Sequence, residues 1–368
     1  MSALYDLAVV GGGIMGSAAA CRAAEGGLRT IVVEQQSIGS GASGVNAGTL
    51  SLQIKRVKLM PYALKGHELW ERAGNRVGFH KTGGLTLAFN EREAALLEER
   101  MTMKCEAGAP IELIPLARVA EIEPALSRKV VAASWCAEDG YANSSLTGAY
   151  YRDLLESAGV KIRERTPVSA IDRSGGAFQL ATPAGPIRAT RLLLACGAWL
   201  KTAGAMIGLD LPVRARVNTV SVTERGPRLV GTVVGHATGL LTLKQKPNGS
   251  VLIGGGWQGL GSPEEGRGRV DPETLLPNLR LAQFAVPGLD RFRVVRSWTG
   301  FEANLPDFYP LAGPAPGVDG AFLLGCVRGG YTIGPYIGAL MGDLILGREP
   351  ELPLFDPARL FTPAASAA

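Results

Sequence analysis

Cysteine and histidine are scarce in this 368-residue chain, and no long apolar or basic run interrupts it. Cys21, Cys105, Cys136, Cys196 and Cys326 are scattered, odd in number and include no C-x-x-C pair. That excludes a disulfide framework, a cysteine-type zinc site and an iron–sulfur site, and it suits a reducing cytoplasm. His67, His80 and His236 lie far apart, and "HELWE" lacks the second histidine of a zinc-binding helix. Each reads as a surface or structural residue. Aromatics make up 6%, and the net charge of +5 is not gathered into a stripe. A nucleic-acid surface is therefore excluded, while an acidic ligand or partner fits the charge. No stretch of ~18 uncharged apolar residues is available to cross a membrane. The N-terminus reads as having no secretory signal, because an apolar strand begins almost at once. The tail "TPAASAA" is small and polar and is expected to be disordered.

Glycine is abundant, with 49 copies. The stretch "AVVGGGIMGSAAACRAA" follows a short apolar run, Leu7 to Val10, typical of a buried parallel strand. Gly11, Gly13 and Gly16 fit G-x-G-x-x-G. They serve a tight turn, close approach of backbone to a pyrophosphate, and close helix–strand packing. Ser17 to Glu25 reads as a helix stopped by Gly26-Gly27. A second apolar run, Thr30 to Val33, ends in Glu34, placed to accept hydrogen bonds from ribose hydroxyls. Pyrophosphate would sit on the helix N-terminus. An acid rather than an arginine at position 34 disfavours NADP and leaves FAD and NAD open.

Further along, 35–50 reads as a loop with one helical turn, 58–75 as a helix, and "GGLTLAF" as a strand. "EREAALLEERMTMKCEAG" reads as an amphipathic helix whose charges form a solvated face. "LIPLARVAEIEPAL" and "YANSSLTGAYYRDLLESAG" read as helices, and 130–136 as a strand. Residues from about 210 to 300 read as antiparallel strands, with Pro247-Asn248-Gly249 as a turn. "FLLGCVRGGYTIGPYIGAL" repeats strand, glycine turn and helix near the C-terminus. Its helix N-terminus, near Ile333, could face a flavin ring and stabilise the anion formed on reduction. "LLLACGAWL" is an apolar strand ending in a small-residue turn. The expected fold is α/β with a discontinuous arrangement. A Rossmann dinucleotide domain is formed by 1–80, 145–212 and 300–368, and an antiparallel-sheet substrate domain by 81–144 and 213–299.

Together "VVGGGIMGSAAA", Glu34, "GSGASGVNAG", "ACGAW", "WTGFEANLPDFYPLAG" and "GGYTIGPYIGALMGDLI" resemble the FAD-dependent amine oxidoreductases related to D-amino acid, glycine and sarcosine oxidases. Nearly the whole chain takes part. The resemblance implies a glutathione-reductase-like FAD domain roofed by an antiparallel substrate domain. It implies that Gly11, Gly13, Ile14, Met15 and Gly16 hold the pyrophosphate, and Glu34 and Gln35 the adenosine ribose. Ser40, Ser43, Gly44, Asn46, Ala47 and Gly48 would line the middle of FAD, and Val168 its adenine side. Ala195, Gly197 and Trp199 would form another adjacent turn, and Gly329, Gly330, Tyr331 and Thr332 would approach the isoalloxazine. The finer likeness is to β-type catalytic subunits of opine, sarcosine and proline dehydrogenases, which work in hetero-oligomers and would pass electrons to partner subunits.

Two departures qualify that likeness. Monomeric sarcosine oxidases attach FAD to a cysteine shortly after "W-x-G", but 301–310 here contains none, so noncovalent FAD is expected. Simple amino-acid oxidases carry an arginine just after "W-x-G-φ" for the substrate carboxylate, whereas this chain has Glu302. A carboxylate there would favour a cationic amine unless it pairs with Arg293 or Arg296. The expected reaction takes hydride from a carbon bearing an amine and gives an imine that hydrolyses. Candidate site residues are Thr49, Thr242, Lys244, Trp257, Glu302, Arg328 and Tyr331, and no metal is called for. An NAD-linked dehydrogenase and a non-catalytic FAD-binding subunit remain as alternatives.

Overall fold

A computed structural model describes residues 4–325 and 328–361. Cys326 and the tail after Phe361 lie outside the described residues. The first sheet runs in the order Ala170–Ser174, Ala177–Ala181, Ile187–Leu194, Leu4–Val10, Thr30–Val33, Lys161–Arg163. Its last four strands are parallel, and Ala321–Gly325 joins Ile187–Leu194 in parallel as well. Leu7, Ala8, Val9 and Leu192 to Leu194 are fully buried, which is why these runs are apolar without alternation. Val10, Val33 and Leu194 stand in register, so three strand ends open together on one crevice. That is where ligands bind in such sheets.

Helix α1, Ile14–Glu25, leaves this crevice; α2 is Met60–Ala73, and α3 is Glu91–Glu106. Asn90 caps α3 by accepting from Glu93 N–H at 2.9 Å, and the Glu93 carboxylate reaches back to accept from Phe89 N–H at 2.7 Å. Helix α4 is Thr147–Ser157, α5 is Pro272–Ala285, and α6 is Gly330–Ile345. The sequence reading of 210–300 as strands overlooks α5. Its signal is Asp271, whose side chain accepts from Glu273 N–H at 3.0 Å, followed by Pro272 in the first turn. Helix α6 starts three residues ahead of Ile333, at the glycine turn itself.

The second sheet is ordered Val294–Asn304, Arg214–Arg225, Ser250–Gly254, Thr242–Gln245, Val233–His236, Gly84–Ala88, Ala132–Cys136, Glu112–Leu113. It is antiparallel except where Val233–His236 runs parallel to Gly84–Ala88. Val294–Asn304 pairs with Arg214–Arg225 along its length, so the crossing back to the first sheet falls after Asn304 and not at 300.

Helix α6 lies against α1 through a stripe of glycines. A Cβ on Gly338 would stand 2.6 Å from the Met15 carbonyl oxygen, and one on Gly342 would meet the Arg22 side chain at 2.6 Å. Arg22 Nε donates to Asp343 Oδ1 at 2.8 Å across the same seam. On its other side α6 meets α2, where a Cβ on Gly66 would sit 2.2 Å from the Thr332 carbonyl oxygen. Pro335 has no N–H for the Tyr331 carbonyl. The Trp70 indole of α2 donates to that oxygen instead, at 2.8 Å. This packing brings the N-termini of α1 and α6 to one cavity.

Candidate active site

The cavity measures about 980 Å³ and is walled by both sheets, near the top of the roughly 300–1,000 Å³ range of ligand pockets. Its lining brings together Gly11, Gly13, Ile14, Met15, Gly16, Glu34, Gln35, Ser40, Ser43, Asn46, Ala47 and Thr49. It also includes Val168, Ala195, Gly197, Trp199, Thr242, Glu302, Arg328, Gly329, Gly330 and Tyr331. Gly44, Gly48, Lys244, Trp257 and Thr332 lie outside that lining. Gly44 and Gly48 permit close packing instead, since a Cβ on them would meet the Gly39 and Ala142 carbonyl oxygens at 2.4 and 2.0 Å. The Trp257 indole donates to the Leu240 carbonyl at 2.7 Å, and Thr332 is fully buried.

At the dinucleotide end the glycines divide their labour. Gly11 (φ +110°) and Gly16 pack on backbone, with a Cβ reaching the Ala195 and Gly11 carbonyl oxygens at 2.4 and 2.2 Å. Gly13 has no such neighbour. A Cβ there would point past the Ser43 hydroxyl, 3.2 Å away, into the cavity. Gly13 caps α1 without a side-chain hydrogen bond, and no acid occupies the first turn. Ile14 N–H donates to Ser43 Oγ at 3.0 Å, and the dipole of this helix end favours an anion. Glu34 accepts from Gly12 and Gln36 N–H groups, each at 2.8 Å. Cys196 lines the same end, its thiol pushed up to about 12 by burial and then by Glu34.

At the other end Gly329 (φ +73°) caps α6, again with no side-chain cap. Its N–H donates to Glu302 Oε1 at 3.1 Å, and its carbonyl accepts from Lys55 Nζ at 3.2 Å. Glu302 Oε2 accepts from Asn218 Nδ2 at 2.8 Å. Glu302 therefore pairs with neither Arg293 nor Arg296, and both its oxygens are engaged in holding the α6 turn. Tyr331 stacks on Trp70 at 4.4 Å, and its hydroxyl bonds Thr147 at 2.9 Å. Burial holds that hydroxyl protonated, so its side chain is packed and its backbone serves the helix start. A Cβ on Gly256 would sit 2.8 Å from Arg328 Nη2, which places the guanidinium beside the turn after Ser250–Gly254.

Lys244 is almost fully buried and donates to Thr49 Oγ1, which lines the cavity. Burial, then repulsion from Lys246, lowers it to about 7. Lys55 is buried beneath the cavity wall and lowered to about 8 by burial, against the opposing pull of Asp139 and Glu302. Asp139 fixes this region by accepting from Leu52 N–H at 2.8 Å and Gln53 Nε2 at 3.1 Å. Sequence reasoning missed Lys55 and the α3 residues Arg100 and Lys104, which also line the cavity, and the buried Asp139. The α3 signal was the spacing of Leu97, Arg100, Met101 and Lys104, which share one helix face.

The family described as FAD dependent oxidoreductase matches residues 6–344. Glycine oxidase of Geobacillus kaustophilus (strain HTA426) is 30% identical over 363 residues, covering 95% of each chain. An opine oxidase subunit of Agrobacterium tumefaciens (strain Ach5) is 26% identical over 374 residues, covering 96% of this chain and 97% of that one. The crystal structure of glycine oxidase from Geobacillus kaustophilus superposes with a TM-score of 0.88 at 28% identity, covering 98% and 99% of the two chains. The chain belongs to the FAD dependent oxidoreductase family. It is an enzyme, its cofactor is FAD, and the choice the N-terminal fingerprint left open between FAD and NAD is decided. The likeness read from the motifs, to glycine-oxidase and opine-oxidase types, is borne out.

Proposed function

We propose that the chain oxidises an amino acid or N-alkyl amino acid at the carbon bearing nitrogen, giving an imine that hydrolyses. The observation that carries this is the convergence of two helix N-termini, Thr49 with Lys244, and Arg328 on one cavity. The residues present fit FAD. Gly13 leaves open the space a pyrophosphate needs, Glu34 and Gln35 stand at the ribose end, and Gly329 to Tyr331 present backbone to a ring. FAD, when bound, accepts the hydride.

The chain's own residues orient and deprotonate. Arg328 is the partner for the substrate carboxylate, as a planar fork suited to that group. Lys244, with a value near 7, takes a proton relayed through Thr49 Oγ1, so the amine reaches the ring neutral. Thr242 borders the same space. Glu302 acts as a positioning residue for the Gly329 turn.

The sheet roofing the cavity serves as the substrate domain and the parallel sheet as the FAD domain. Partner subunits fit the likeness to a protein named as a subunit. They also fit Val294 and Val295, exposed on the outermost strand of the second sheet. A cytoplasmic location fits the free thiols Cys21, Cys105, Cys136 and Cys196. Among the described residues no helix is long and apolar enough to cross a membrane. Anaerobic mixing of the yellow protein with a panel of amines tests the reaction. Bleaching by carboxylated amines is expected, and a flavin that none of them reduces would overturn the assignment.

A further inference from the structure

The stretch "HELWE" lacks the second histidine of a zinc-binding helix and carries Glu71 in that place. His67 and Glu71 stand four positions apart on α2, so their side chains share one face. The fold brings a third group to that face. Glu138 lies in the turn between Ala132–Cys136 and Gly140–Tyr141. One ring nitrogen of His67 and one carboxylate oxygen from each of Glu71 and Glu138 lie within 4.8 Å of one another. None of the three lines the cavity.

Burial separates the three groups. His67 is only 4% exposed, and its Nε2 has no hydrogen-bond partner among the described residues. Its ring meets Phe79 edge-on at 5.6 Å. The two carboxylates reach solvent. Lys81 Nζ lies 3.4 Å from Glu71 Oε1 and 2.6 Å from Glu138 Oε2. Asp139 is near the ring as well, but it is engaged by Ser51, Leu52 and Gln53.

We propose that His67, Glu71 and Glu138 form a binding site for a divalent transition-metal ion of the zinc type, for which Lys81 is the competing cation. The proposal is independent of the reaction. One imidazole and two carboxylates supply three ligands, and water completes a tetrahedral set. The nitrogen donor favours such an ion over Mg2+ and Ca2+, which take oxygen.

The buried ring carries the argument. A buried polar atom without a partner is costly. The Lys81 ammonium answers both acids and leaves Nε2 as it is, whereas a metal ion engages the imidazole and the acids together. Donors around one zinc ion stand roughly 3.4 Å apart, so the cluster closes with shifts of about 1 Å. Exposed glutamate side chains make such shifts readily, and the open side gives the ion an entry path. The ion would tie α2 to the turn before Gly140–Tyr141. Glu71 follows Trp70, which stacks on Tyr331 and donates to its carbonyl. Glu138 precedes Asp139, which holds Leu52 and Gln53. Binding would therefore clamp two supports of the cavity wall from outside it.

The test uses untagged, FAD-loaded protein freed of metal by a chelator and titrated with Zn2+ alone. Calorimetry should show one Zn2+ per chain, and the melting temperature should rise. Mg2+ and Ca2+ at the same concentration should do neither. Glu138→Gln, at an exposed position, should weaken Zn2+ binding by about tenfold or more. His67→Phe keeps a ring against Phe79 and should abolish the Zn2+-dependent rise in melting temperature, with flavin content as the check on folding. Lys81→Gln removes the competitor and should tighten Zn2+ binding severalfold, a gain that a plain ion-pair cluster does not give. If His67→Phe fails to fold, the two surface variants decide. A wild type that takes up no Zn2+ overturns the site. So does uptake unchanged by Glu138→Gln, or binding that weakens in Lys81→Gln.

Discussion

At the dinucleotide end the cavity is walled by backbone; at the α3 end it is walled by charged side chains. Gly11, Gly13, Gly16 and Gly329 each contribute by what they omit, and the N–H groups of two helix ends supply the polarity. Around α3 the polarity comes from Arg100 and Lys104 of that helix and from Lys55 of a separate segment. A backbone-built site tolerates almost no added atom but needs no particular charge. A side-chain-built site tolerates changes of size and is governed by charge.

The sharpest way to break the comparison is Gly13→Val. Its side chain would occupy the space left for pyrophosphate, so the protein should purify colourless. It should also lose the stabilisation a tight ligand supplies, about 2.7 kcal/mol at a hundred times its dissociation constant. Flavin content by absorbance and melting with and without added FAD measure both effects; full flavin retention would contradict the assignment.

Next in size is Gly338→Ala, away from any ligand. The added methyl meets the Met15 carbonyl and the Ala18 Cβ within 2.7 Å. Overpacking of this kind costs about 1–3 kcal/mol. The melting temperature should fall, and FAD affinity with it, because the two helix ends move apart. A change in stability alone would show that the seam does not set the site.

Glu302→Gln sharpens the other half. The amide still accepts from Gly329 N–H but without charge, a loss of about 1 kcal/mol. Flavin reduction should slow by severalfold for cationic and neutral amines alike, because both carboxylate oxygens are already engaged. A selective loss with cationic amines would instead restore Glu302 as a substrate-binding charge, the role its position in the sequence suggested.

Lys244→Met has the smallest effect on stability at neutral pH and is best read across pH. The folded value near 7 lies below the ordinary lysine value of 10.5. Between those two the unfolded chain holds a proton the folded chain has released, so stability rises with pH. Lys244→Met should flatten part of that rise in denaturant titrations between pH 7 and 10. An unchanged slope would mean that the amine is solvated.

The same contrast explains what the sequence could say. Gly11, Gly13, Gly16 and Glu34 were legible because a backbone-built site needs glycines at fixed spacing, and spacing survives in one dimension. The turn at Gly329 was legible for the same reason. Lys55 and Asp139 were not, because nothing in "SLQIKRVK" or "CAEDG" distinguishes a buried charge from one in water, and the spacing that aligns Lys104 with Leu97, Arg100 and Met101 does not say what that face meets. Only the fold, which lays α3 over Gly84–Ala88 and Ala132–Cys136, brings them together. Tyr331 and Trp257 erred in the opposite direction. Tyr331 lines the cavity and Trp257 does not, and a ring stack and an indole bond to Leu240 make packing residues of both.

The seam between α1 and α6 also sets a timetable for the nascent chain. Ile14–Glu25 is made well before Gly330–Ile345. At roughly 5–20 residues per second the first waits tens of seconds for its partner. Throughout that interval the alanine face of α1 has nothing to cover it, and neither helix end has its companion. The cofactor cannot guide early folding, since the crevice that receives it is incomplete until Gly330–Ile345 has been made. Truncation near the C-terminus should therefore remove FAD binding as completely as damage to the first glycines.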